Sequence, residues 1–149
     1  MVIHDMSQEE CGALIGRTGI GRLGCSLDNQ PYIVPINVVY EDGWLYSFST
    51  AGQKIEWMRA NPKVCVQSDE ITSPSSWASV IATGSYQELK EPQFELERAH
   101  ARKLLDRRHH WWLNALAERQ LKSQDELIAP IFFRIRIESF SGLQTSDGV

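Results

Sequence analysis

The sequence predicts a mainly β fold that carries helices: a six-stranded antiparallel β-barrel flanked by three or four helices. Three observations support it. Two apolar runs, residues 32–40 and 44–49, are joined through Asp42-Gly43, the dipeptide that favours a two-residue hairpin turn because both positions need positive φ. Residues 130–138, PIFFRIRIE, alternate Ile131, Phe133, Ile135 and Ile137 against Phe132, Arg134, Arg136 and Glu138, the period of a strand. Residues 19–27 form a glycine-rich strand pattern, and glycine in a strand marks the curvature or close backbone approach that a small barrel requires.

Taken in order, Ser7 with Glu10 three residues later has the form of a capping box, so a helix over 8–16 follows, with Cys11, Leu14 and Ile15 as its apolar stripe over one barrel mouth. The strand over 19–27 sets Leu23, Cys25 and Leu27 on one side and Arg22 on the other. Asp28-Asn29-Gln30 then turns the chain into residues 32–40, apolar on both faces except at Pro35 and Asn37, the pattern of a doubly covered central strand. Pro35 cannot donate to a ladder and needs an edge, a bulge or a ligand where its missing N–H would point. The return strand over 44–49 alternates Trp44, Tyr46 and Phe48 against Leu45, Ser47 and Ser49. A helix over 52–61 stops at Asn61-Pro62, and residues 63–69 resume as a strand. The loop ITSPSS leads to a long strand over 77–89. Glu91-Pro92 opens a helix to Arg108 with an apolar stripe of Phe94, Ala101, Leu104 and Leu105, and helix continues over 113–122. The strand at 130–138 closes the barrel, and the polar tail 141–149 frays or reaches a neighbouring subunit. No repeat or linker divides the chain, so residues 1–149 read as one domain with a sizeable core.

The candidate ligand corner is Ser49-Thr50-Ala51-Gly52-Gln53-Lys54. Two hydroxyls at a strand end, a glycine that permits close approach, free N–H groups and a lysine in the first helical turn together favour an anion such as phosphate. A lysine there opposes the helix dipole, which a nearby anion would rationalise. The same residues also fit an ordinary Ser49 or Thr50 N-cap beside a solvated Lys54. On the long strand, Trp77, Ser79, Ile81, Thr83 and Ser85 share a mixed face that fits a surface meeting a partner or ligand, or an ordinary half-exposed strand. His109-His110-Trp111-Trp112 fits a substrate lid, a stacking wall or a haem contact, or an amphipathic helix whose tryptophans pack. Adjacent imidazoles diverge and make a poor metal site. No Ser/His/Asp or paired-carboxylate arrangement is evident.

A formal charge of −4 and a pI near 5.5 argue against a generic nucleic-acid or anionic-membrane binder and leave a small molecule or another subunit as partner. Cys11, Cys25 and Cys65 are odd in number and widely spaced, so they read as reduced thiols rather than a disulfide or zinc set. The N-terminus MVIHDMSQEE lacks a basic, apolar signal segment and no apolar run reaches membrane-spanning length, which makes the cytoplasm the expected location.

The ordered set PYIVPINVVYEDGWLYSFST, GQKIEWMRANPKVCVQSDE and WASVIATGSYQEL resembles the FMN-binding split barrels related to pyridoxamine 5′-phosphate oxidase, especially the flavin-nucleotide-binding branch that includes nitroimidazole-reductase-like proteins. The resemblance covers residues 15–90 closely and the C-terminal strand loosely. It implies a split β-barrel and a homodimer with FMN in the clefts between subunits. By motif, Phe48, Ser49 and Thr50, with Gln53 and Lys54, would surround the FMN phosphate. Val34, Pro35, Ile36 and Asn37 would run beside the isoalloxazine, and Trp77 and Ser79 would approach it from the other subunit. A flavin is a flat apolar ring with one hydrogen-bonding edge and a dianionic tail, and the stretch from Val34 to Lys54 offers a wall, polar groups and an anion pocket in that order.

Three departures bound the implied function. Gln53 stands where an arginine commonly neighbours the phosphate lysine, so Arg59, Arg22 or another base would have to compensate. Ser49-Thr50 replace a histidine frequent in the branch, which tells against nitroimidazole reduction, and the ending SFSGLQTSDGV lacks the basic, aromatic motif of vitamin B6 oxidation. The implied activity is an FMN-dependent oxidoreductase acting on a small planar or nitro-aromatic acceptor. The alternatives are a reductase using the deazaflavin F420 and a non-enzymatic flavin or haem module.

Overall fold

The structure is a computed structural model and describes residues 1–108 and 129–147. The expectations placed on His109-His110-Trp111-Trp112 and on residues 113–122 lie outside the described residues. Within them the chain runs β1 (Val2–Asp5), α1 (Gln8–Thr18), β2 (Ile20–Leu27), β3 (Gln30–Asn37), β4 (Val39–Glu41), β5 (Trp44–Ser49), α2 (Gln53–Ala60), β6 (Lys63–Ser73), β7 (Ser76–Glu88), α3 (Glu95–Arg108) and β8 (Ile131–Ser146). The strands form one antiparallel sheet in the order β3-β2-β6-β7-β8-β5-β4, with β1 added along β8. The fold is thus mainly β, of the split-barrel kind, and the sheet does not close.

Local chemistry explains the elements. Ser7 Oγ accepts the Glu10 N–H at 3.1 Å and Glu10 Oε1 accepts the Ser7 N–H at 3.0 Å, a complete capping box that starts α1. The β4–β5 turn has Asp42 at φ 48° and Gly43 at φ 84°, and Asp28 and Asn29 turn β2 into β3 at φ 49° and 67°, both the backbone twist that hairpins prefer.

The sheet has eight strands rather than six for two reasons. The run expected over 32–40 breaks at Val38, which is fully buried and whose N–H donates to the Gly19 carbonyl at 3.0 Å, so β3 and β4 end up at opposite ends of the sheet order. β1 is the second addition. The tail does not fray as far as Ser146: β8 continues through it, paired with β7 on one side and β1 on the other. Backbone pairing on both sides overrides its weak apolar pattern.

Residues 32–40 are also not a central strand. β3 is an edge strand, and of its apolar side chains only Ile36 is buried, with Ile33 on the other face 69% exposed. The Val38–Gly19 bond sets the alternation of the β2–β3 ladder, so Pro35, paired with Arg22, falls at a position whose backbone polar groups point away from β2 to the open edge. Its missing N–H costs nothing there.

Two apolar clusters hold the molecule. The barrel interior contains Leu14 and Ile15 of α1, Ile55 and Met58 of α2, and Leu23, Val66, Val80, Leu45, Phe133 and Ile135 of the sheet. A second cluster, Val39, Tyr46, Phe48, Leu89, Ala101, Leu105 and Phe132, lies on the other face of β5 beneath α3. The 2.0 periodicity of β5 therefore sends Leu45 and Phe48 into different cores.

Candidate functional site

The split in the barrel lies between β3 and β5, with α2 packed beside it on β2. Ser47 Oγ bridges it by donating to the Asn37 carbonyl at 2.6 Å. Val34 and Ile36 share the inward-facing register with Leu23 across from Val34, while Pro35 and Asn37 share the outward one. Ser49 is buried and its hydroxyl donates to the Thr50 carbonyl at 2.9 Å, so it caps nothing. The N-cap of α2 is Gly52, with no side-chain cap. Phe48 packs against Phe132 at 5.8 Å on the α3 side, which leaves its backbone rather than its ring toward the corner. Gln53 is exposed.

Lys54 is half-buried at this uncapped helix start. Burial pushes its ammonium below the usual lysine range, and only the nearby Cys25 thiol acts in the opposite direction. Cys25 on β2 is itself raised by burial and by Cys65, with Lys54 lowering it. Among the described residues Lys54 has no carboxylate partner. The two bases named to compensate for the missing arginine are both engaged: Arg59 makes a bidentate pair with Glu88 at 2.7 and 2.9 Å, and Arg22 donates to Asp69 and Gln67, each at 3.0 Å. Among the described residues, with Arg22 and Arg59 engaged, the anion-binding charge of this corner is Lys54.

Trp77 and Ser79 lie elsewhere. Pairing places Gly84 of β7 level with Val64 and Cys25, so Trp77 is seven residues, about 23 Å, farther along the strand. The Trp77 N–H donates to Thr145 Oγ1 at 3.0 Å, and Ser79 accepts from Gln67 at 3.0 Å. Within one chain Trp77 and Ser79 on β7 are therefore remote from Lys54, and β2 and β6 separate them from β3.

Two features were missed by sequence reasoning. One is a groove of about 680 Å³ over the outer sheet face, walled by Pro31, Ile33, Lys63 and Cys65 above Gly24 and Ser26. Its signal was the small residues at 24 and 26. The other is the extent of the outer face, of which the sequence singles out only the strip Trp77, Ser79, Ile81, Thr83 and Ser85 on the long strand. Register puts Ile3, Ile20, Ile33, Ile71, Ile81 and Leu143 on it, between 43% and 69% exposed, around the polar set of Arg22, Gln67, Asp69 and Ser79. Exposed aliphatics gathered on one face mark an interaction surface. Among the described residues, no group of three or more His, Cys, Asp or Glu side chains could hold a metal ion, and no helix is long and apolar enough to cross a membrane.

Comparison with known proteins agrees with this architecture. An uncharacterized protein of Rhizobium meliloti (strain 1021) is 41% identical over 149 residues, 99% of each chain. The crystal structure of a FAD-binding protein from Mesorhizobium loti superimposes with a TM-score of 0.80 at 39% identity, over 98% of this chain and 100% of that one. A FAD-binding protein from Mycobacterium smegmatis shares the fold with a TM-score of 0.65 at 21% identity, over 98% and 100% of the two chains. A family model described as pyridoxamine 5′-phosphate oxidase matches residues 7–144. With nearly the whole chain matched, the protein belongs to the pyridoxamine 5′-phosphate oxidase family.

Proposed function

We propose that this chain is a flavin-dependent oxidoreductase of the cytoplasm that works as a homodimer and reduces a small planar or nitro-aromatic acceptor. The observation that carries the reading is Lys54: a half-buried cation at an uncapped helix start, with no carboxylate partner among the described residues. Desolvating an ammonium without a counter-charge is unfavourable, and a phosphate at that helix start offsets the cost. The residues present fit a flavin. Half-buried Val34 supplies apolar surface with Ile36 buried behind it, and the open edge of β3 supplies unpaired backbone groups for the polar rim of the ring. When bound, a flavin supplies the hydride- or electron-transfer chemistry, and the chain's own residues hold it, orient it and exclude water.

FMN is the form implied by the resemblance, whereas two similar structures are described as FAD-binding. The Lys54 corner suits the phosphate next to the ribityl chain in either. The exposed aliphatic face supports pairing of two copies, and the distance of Trp77 and Ser79 from Lys54 within one chain suits their delivery to the partner's flavin. Titration with FMN, FAD and F420, followed by NAD(P)H turnover of the loaded protein, tests the reading. Tight uptake of FMN or FAD with turnover supports it. Uptake of F420 alone gives the deazaflavin alternative, flavin uptake without turnover gives the non-enzymatic module, and no uptake rejects the site.

A further inference from the structure

We infer that the Arg59–Glu88 pair is a positioning device for the anion corner, holding Lys54 in place through helix α2 rather than touching the ligand; this rests on Lys54 being the phosphate residue. Arg59 lies one turn after the fully buried Ile55 on the same side of α2. Its Nε donates to Glu88 Oε1 at 2.7 Å and its Nη2 to Oε2 at 2.9 Å. Such a planar fork fixes direction as well as distance.

Glu88 is a firm anchor. Its side chain is 11% exposed, Oε1 also accepts the Tyr86 hydroxyl at 2.7 Å, and Lys90 Nζ lies 3.7 Å from Oε2. The Tyr86 ring rests on fully buried Phe133 at 5.3 Å. Contacts thus run without a gap from the barrel core through Tyr86 and Glu88 into the last turn of α2. Asn61 Nδ2 donates to the Ser26 carbonyl at 3.0 Å, and Trp57 packs on Tyr32 at 5.7 Å, so the C-terminal half of the helix is fastened from several sides. The N-terminal end has no side-chain cap and is left for a ligand.

A helix of eight residues moves as a unit. Lys54 precedes Arg59 by five residues, about 7.5 Å along the axis, so a tilt at Arg59 is carried to the ammonium and to the free N–H groups beside it. Arg59 is half-exposed but Glu88 is not, so loss of either partner also lowers stability, and the positioning role is read in the ratio of two ligand affinities rather than in unfolding.

The test compares affinities for FMN and for riboflavin, which lacks the phosphate, by flavin fluorescence in the full chain and in Arg59→Met, Arg59→Lys and Glu88→Met. The ratio of the two affinities isolates the phosphate contribution. Positioning predicts that Arg59→Met and Glu88→Met each lower the ratio about three- to tenfold, with riboflavin affinity kept within about twofold, and that Arg59→Lys restores part of it. Glu88→Met is the decisive variant because it frees Arg59: a raised ratio there means that Arg59 meets the phosphate directly and overturns the inference. An unchanged ratio, or equal loss of both affinities, overturns it as well. If a methionine variant does not fold, Glu88→Gln decides, since it keeps the shape of the side chain and frees the Arg59 charge: the ratio falls under positioning and rises if Arg59 meets the phosphate directly. Equal wild-type affinities for FMN and riboflavin would instead overturn the Lys54 reading itself.

Discussion

Replacing Lys54 by methionine should have opposite effects on the empty protein and on its complex. Burial holds the Lys54 ammonium below the usual lysine value of 10.5. Between the folded and unfolded pKa values the unfolded chain binds more protons, so stability rises with pH through that window as the folded state sheds its charge. Below the folded pKa the burial cost is present in full. Lys54→Met keeps the apolar stem and removes that cost. The empty protein should therefore be at least as stable as wild type at neutral pH and should lose its gain in stability toward pH 10.5. On the ligand side, a charge-assisted hydrogen bond to phosphate contributes about 1.5–3 kcal/mol, or about 10- to 150-fold in Kd. Urea unfolding of the empty protein across pH and FMN titration at neutral pH measure the two effects, with riboflavin as the ligand whose affinity should not move. Unchanged FMN affinity would refute the phosphate assignment. Marked destabilisation of the empty protein would refute the claim that Lys54 lacks an internal partner.

Other substitutions probe the frame around the site. Ile33→Glu, on the exposed aliphatic face, should yield a folded monomer by light scattering, and a persistent dimer would exclude that face as the contact. Gly84→Ala places a Cβ against the Arg136 carbonyl at the β7–β8 irregularity, where the nearest atoms it meets are backbone and cannot swing aside. It should cost about 1–3 kcal/mol in urea unfolding, and an unshifted midpoint would contradict the close approach. Ser7→Ala removes the acceptor of the Glu10 N–H and should cost about 1 kcal/mol, again measured by urea unfolding, with no loss counting against the capping box.

Much of the fold was legible where local chemistry decides it. Asp42-Gly43 dictates its turn, Ser7 and Glu10 cap each other, and the Ile/Phe alternation of β8 has one period only. What misled was coverage. Residues 32–40 are apolar on both faces, which reads as a central strand, yet an edge strand has the same composition when its second face is meant for a partner or ligand. The polar residues 141–146 gave no strand signal because β7 and β1 specify that segment by backbone pairing. At the site, the hydroxyl-rich corner and Lys54 were visible in the order of residues. The engagement of Arg59 with Glu88 and of Arg22 with Asp69 was not, since each joins elements distant in sequence. The outward parity of Ile20, Ile33, Ile71 and Ile81 was written in the strands but acquires meaning only once register places them on one face.

The most direct test is the visible absorption spectrum of the purified protein before and after FMN or FAD addition and desalting. The account predicts flavin bands that survive desalting and are lost in Lys54→Met under the same conditions. A protein that remains colourless with both flavins would contradict it.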